Sequence, residues 1–146
     1  MHVAALLLLS VISAQPGSTA EPRAVVGRLF DAYRALDAER LVAVLAPDIA
    51  FEDPTMRLRA NGHAEMRKMA AGIKAGFRDI NIDVHKMIVD GNEVATEVTI
   101  SGTLLKPDGT TRNIRVRGAS FFRVRNGLVE KWTDYFDART FMEQSP

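Results

Sequence analysis

Two short stretches of this 146-residue chain place a carboxylate among large apolar side chains, a setting that suits acid–base chemistry. Near the C-terminus, Trp132-Thr133-Asp134-Tyr135-Phe136-Asp137 follows Leu128-Val129-Glu130-Lys131, a run that reads as a β-strand. Strand side chains alternate faces, so Trp132, Asp134 and Phe136 share one face while Thr133 and Tyr135 share the other. If the first face is interior, desolvation disfavours the charged form of Asp134 and raises its pKa. A carboxyl tuned in that way can act as a general acid or base near neutral pH. The second stretch is Ile49-Ala50-Phe51-Glu52-Asp53-Pro54, where alternation puts Ile49, Phe51 and Asp53 on one face. The plainer alternatives are that Asp53 caps the turn at Pro54 and that Asp134 ties its strand to a closing helix.

Around these stretches the pattern predicts the elements that must position them. Val25, Val26, Leu29, Phe30, Tyr33 and Leu36 recur at helical spacing, giving an amphipathic helix over about 22–37 with Pro22 in its first turn. A shorter helix is expected over about 38–46, stopped by Pro47-Asp48, and the strand 49–53 ends at Pro54. Asn61-Gly62 opens a third helix over about 63–76, with Met66, Met69, Ala70, Ile73 and Phe77 apolar. Four strands follow, over 79–89, 93–105, 112–125 and 128–136, separated by Asp90-Gly91, Pro107-Asp108-Gly109 and Asn126-Gly127. A short helix around 138–143 closes the chain. In the strand 112–125, Ile114, Val116, Gly118, Ser120, Phe122 and Val124 share one face; Arg115, Arg117, Phe121, Arg123 and Arg125 share the other. The expected fold class is α+β, a curved antiparallel sheet wrapped as a cone around the N-terminal helices, with Gly102 and Gly118 as candidate bulge or bend positions.

Composition bounds the function. With 47% hydrophobic and 25% charged residues, the chain suits one globular domain over 21–146. Nineteen basic and 18 acidic residues leave a net charge of +1, so no nucleic-acid partner is expected. The arginine row reads instead as an outer sheet face, a candidate homodimer surface. There are no cysteines, which excludes disulfides and thiolate chemistry. The scattered histidines give no ligand spacing: His63 is expected to be exposed at a helix start, and His85 solvent-facing beside Asn81 and Asp83. No metal or cofactor is expected. Met66, Met69 and Met87 read as core filler. Residues 3–14 form an apolar run too short to span a bilayer, and Ser18-Thr19-Ala20 offers small residues for cleavage after Ala20. A signal peptide over 1–20, lacking a basic start, is the first reading and implies a periplasmic or secreted protein. The second is a start codon assigned upstream of a cytoplasmic domain.

These residues together resemble the superfamily that shares the nuclear transport factor 2 fold. Within it they resemble SnoaL-like polyketide cyclases, ketosteroid isomerases and limonene-type epoxide hydrolases. Phe51-Glu52-Asp53-Pro54 with Asn61-Gly62-His63, the strand Ala119-Ser120-Phe121-Phe122-Arg123-Val124 running to Asn126-Gly127, and Trp132 to Asp137 carry the resemblance, which covers about 24–143. It implies that Asp53 stands where the isomerases have their base. It also implies that Asp134 stands where the cyclases have an acid/base aspartate and the epoxide hydrolases one of their two. The hydrolases' Arg-x-Asp positions read Val98 and Ile100, and their tyrosine and asparagine read Phe51 and Asp53, so that triad is incomplete. The isomerases' second aspartate is matched by Ser120, and their tyrosine falls near Tyr33.

The first expectation is therefore a cofactor-independent enzyme that moves protons on an apolar carbonyl compound, by isomerisation or aldol-type cyclisation. Asp134 and Asp53 would be catalytic, and Phe30, Tyr33, Phe51, Val98, Ile100, Val116, Ser120, Phe122, Trp132, Phe136 and Phe141 would bind a small hydrophobic molecule. A non-catalytic binding module of the same fold is the alternative, and an epoxide hydrolase the third reading.

Overall fold

The chain's architecture comes from a computed structural model that describes residues 20–146; the apolar run 3–14 and the proposed signal segment before Ala20 lie outside the described residues. Helix α1 (Ala20–Arg34) buries Val25, Val26, Leu29, Phe30 and Ala32 along one face, as the spacing predicts. Asp37 then accepts hydrogen bonds from the backbone N–H groups of Glu39 and Arg40, at 3.1 and 3.0 Å, and caps helix α2 (Ala38–Val42). This helix is four residues shorter than expected at its C-terminal end. The chain is instead captured by the last strand, with the Val129 N–H donating to the Val44 carbonyl at 2.9 Å. Strand β1 (Leu45–Asp53) therefore begins before Pro47, whose missing N–H falls inside a register irregularity between Leu45 and Ala50.

Strand β2 (Leu58–Asn61), which no sequence pattern announces, folds back antiparallel on β1. Helix α3 (Gly62–Gly76) follows; Glu65 in its first turn accepts the Asn61 N–H at 2.6 Å. Phe77, expected at the end of this helix, is extended and opens strand β3 (Phe77–Asp90). The long strands β4 (Glu93–Leu105), β5 (Thr111–Arg125) and β6 (Leu128–Phe136) follow, then helix α4 (Ala138–Gln144), capped by Asp137. Asn126 and Gly127 both have positive φ, the conformation a two-residue turn between right-twisted strands requires.

The six strands form one curved, open sheet in the order β2-β1-β6-β5-β4-β3. It is mixed rather than antiparallel throughout: β1 runs parallel to β6, pairing Phe51 with Trp132 and Glu52 with Thr133. The β3–β4 ladder shifts register twice, both times on β3, at His85 and at Asp79-Ile80 opposite Gly102, so Gly102 supplies room for a bulge without carrying it. Gly118 is no bulge either. It pairs with Val98 and Phe136 in unbroken register and makes room for the Phe136 ring. The inner face of the sheet and the apolar faces of α1 and α3 enclose the core. Outside, four of the five arginines of β5 meet an acid: Arg115 faces Asp83, Arg117 Glu97, Arg123 Glu93 and Arg125 Glu130. Pairs this exposed contribute little stability each.

Candidate active site

Parallel pairing of β1 with β6 is what brings the two carboxylates together. One step beyond Glu52 and Thr133 in the same register stand Asp53 and Asp134. Both face the interior, 4% and 6% exposed, and both line one apolar cavity of about 170 Å³. Tyr33 comes from α1, Phe51 from β1, Ile100 from β4, Val116 from β5, Trp132 and Phe136 from β6, and Phe141 from α4.

The remaining predicted liners lie elsewhere. Phe30 and Phe122 pack edge to face, with ring centroids 5.7 Å apart, deep in the core, and Val98 is buried with them. Ser120, 2% exposed, does not reach the cavity wall; it sits across from Asp134 on β5. The wall is completed by residues the sequence reading did not assign to it. Met69 and Ile73 lie on the apolar stripe of α3, Phe77 follows it at the start of β3, and Ile114 shares a face with Val116, so a signal for these existed. Met56 and Leu58 come from the turn and strand that had none. Met69 is therefore a cavity residue, whereas Met66 is core and Met87 packs against the core. His63 is half-buried, not exposed, and its Nε2 lies 2.9 Å from the Leu45 carbonyl oxygen. Among the described residues no group of potential metal ligands clusters, and no helix is long and apolar enough to cross a membrane.

The electrostatics differ between the two acids. Burial pushes Asp134 up from 3.8 to about 7, and the neighbouring Asp53 adds to this. Ser120 and Trp132 act in the opposite direction by hydrogen bonding, the Trp132 indole N–H donating to Oδ1 at 2.5 Å. That bond commits Oδ1 as an acceptor, so the proton of the acid form belongs on Oδ2. Asp53 is also raised by burial, but the N–H groups of Met56 and Thr55 favour its charged form; the Met56 N–H donates to Oδ1 at 2.9 Å. Asp53 thus does cap its turn, and it faces the cavity as well. Asp134 makes no tie to α4, a role that falls to Asp137. Burial and both aspartates hold the Tyr33 hydroxyl well above the ordinary phenol range, so it remains a neutral donor. Replacing Trp132 by Phe removes the donor to Oδ1. Asp134 is then expected to titrate above its present value near 7, seen as an alkaline shift of the carboxyl resonance in NMR titration.

The sequence and the curved, open sheet both match known proteins. The SnoaL-like domain model matches residues 26–132, and the chain belongs to that family; the match ends at Trp132, just short of Asp134. Several solved structures share the fold. A Shewanella putrefaciens protein named as a SnoaL-like polyketide cyclase is 17% identical, with 86% of this chain and 96% of that one covered and a TM-score of 0.79. A Catenulispora acidiphila protein with a ketosteroid isomerase-like fold, solved with trimethylamine, is 20% identical over 83% and 91% of the two chains, with a TM-score of 0.74. An LEH-like epoxide hydrolase from M. tuberculosis is 21% identical over 86% and 89%, with a TM-score of 0.72.

Proposed function

We propose that this protein is a cofactor-independent enzyme that uses the Asp53–Asp134 pair for proton transfer on a small, apolar carbonyl compound. The observation that carries the reading is the pair itself, two buried carboxyls in one apolar cavity with environments that pull their titrations apart. Asp53, with two backbone N–H groups favouring its charged form, is the base that takes a proton from the carbon beside the carbonyl. Asp134, held protonated on Oδ2, donates to the carbonyl oxygen as it becomes an enolate, and Tyr33 is a second donor. Return of the proton from Asp53 to a more distant carbon, with the enol proton going back to Asp134 as the carbonyl re-forms, completes a double-bond migration. Attack of the enol carbon on a second carbonyl, whose oxygen takes the proton held by Asp53 while the enol proton returns to Asp134, gives an aldol ring closure. Epoxide hydrolysis fits less well, because the cavity wall on β4 is supplied by apolar Ile100 and Val98 lies buried behind it.

Asp53→Asn tests the base. With a model enone, kcat is expected to fall by about 10²–10⁴ while KM changes only a few-fold. An unchanged kcat removes Asp53 from the mechanism. We also propose that two copies pair through the outer sheet face. Phe121 and Tyr135 stand 48% and 47% exposed there in an edge-to-face contact, in a field of mutually paired charges.

A further inference from the structure

We propose that the cavity binds compact lipophilic ammonium ions, seating the cationic head against Asp134 and Asp53 and its alkyl groups against the surrounding aromatic rings. The inference rests on the reading of this cavity as the ligand site, but not on turnover. Six aromatic residues line the cavity: Tyr33, Phe51, Phe77, Trp132, Phe136 and Phe141. Ring faces attract a cation, most strongly where water is excluded. The two carboxyls beside them have no cationic counterpart, since no Lys, Arg or His lines the cavity and neither aspartate is ion-paired among the described residues. On the outer face, by contrast, every β5 arginine from Arg115 to Arg125 has an acid partner. An ionised carboxylate in apolar surroundings is costly unless a charge compensates it, and a ligand cation would do so. At about 170 Å³ the space is smaller than the roughly 300–1,000 Å³ of drug-sized sites, which favours a compact head group.

The two ligand classes demand opposite protonation states. A carbonyl oxygen needs a proton on Asp134; an ammonium needs that proton gone. The groups facing Asp134 are Asp53 from β1, Tyr33 from α1, Ser120 from β5 and Trp132 on its own strand, and only Asp53 adds a charge. The test is calorimetric binding of choline to the full chain, beside its uncharged isostere in which a tert-butyl group replaces the trimethylammonium. Choline is expected to bind at least about tenfold tighter than the isostere at pH 8. Its affinity should rise about tenfold per pH unit up to about pH 7 and then level, with up to one proton released. Asp134→Asn should remove both the slope and the proton release. Equal affinity for the isostere, or choline affinity that is flat or falls with rising pH, overturns the proposal whatever the variant does. Enone turnover on the same preparation separates the two readings. Turnover without choline preference leaves the acid/base reading and removes the ammonium site, and choline preference without turnover does the reverse.

Discussion

Asp134→Asn is expected to abolish turnover and, at alkaline pH, to make the protein more stable. The first half follows from loss of the proton donor at the enolate oxygen, a drop of about 10²–10⁴ in kcat. The second follows from linkage. Asp134 titrates near 7 in the folded chain and near 3.8 as a free side chain, so between these values the native state holds a proton that the unfolded state has released. Stability contributed by this group is therefore fully present below about pH 4, declines as pH rises to about 7, and is flat beyond. At about 1.4 kcal/mol per pH unit the interval amounts to about 4 kcal/mol. Asparagine keeps the acceptor for the Trp132 N–H and carries no charge to bury. Thermal unfolding at pH 4.5 and 8 should show the wild type losing stability relative to the variant as pH rises, by about 3–5 °C in Tm for each kcal/mol. The exposed acids contribute to both chains alike, so the difference between them reports Asp134 together with its coupling to Asp53. A variant less stable than the wild type at pH 8 would mean that the carboxylate is ionised and favourable where it sits.

Gly118 is expected to be the least tolerant position of the long strands. A Cβ there would fall 2.6 Å from the Tyr135 carbonyl oxygen and into the Phe136 ring, which lies across the strand at this point. Gly118→Val must push β5 from β6 or expel Phe136 from the cavity wall, at a cost of about 3 kcal/mol or more in urea unfolding. Gly118→Ala combined with Phe136→Ala separates the two clashes. Removing the ring relieves one, so the pair should couple by about 0.5–3 kcal/mol; the backbone oxygen remains, so rescue should be partial. Strict additivity, or a valine cost below about 1 kcal/mol, would show that the ring does not depend on the missing side chain.

Much of this was readable from residue types alone. Alternation along 93–105 and 112–125 separates the buried row Val94, Val98, Ile114, Val116 and Phe122 from the charged outer face, and the turn residues set all three hairpins. The same alternation does not say how far along the concave surface a residue sits. Val98 and Phe122 share the face of Ile100, Val116 and Phe136, but Phe30 of α1 packs on Phe122, and the first pair lies in the core while the second group lines the cavity. Period 2 gives a side and not a depth, so core and cavity wall were merged. The β1–β6 pairing left no mark either. A parallel neighbour is chosen by the path of the whole chain, and neither the short run around Pro47 nor β2 has a local pattern that names its partner. Asp53 and Asp134 could each be singled out by their surroundings, yet their adjacency depends on that pairing.

The pairing also bears on how the protein comes into being. Thr55 accepts a hydrogen bond from the Phe136 backbone N–H, 81 residues further along, and the contacts between β1 and β6 are of similar range. Loops of that length close late, after the β3-β4-β5 hairpins whose partners are near in sequence. During synthesis β6 is the last strand to leave the ribosome, and until it docks β1 lacks its inner neighbour and Asp53 has no companion. A partly made chain can therefore hold most of the sheet without any of the acid pair, and the cavity becomes competent only when its two ends are joined.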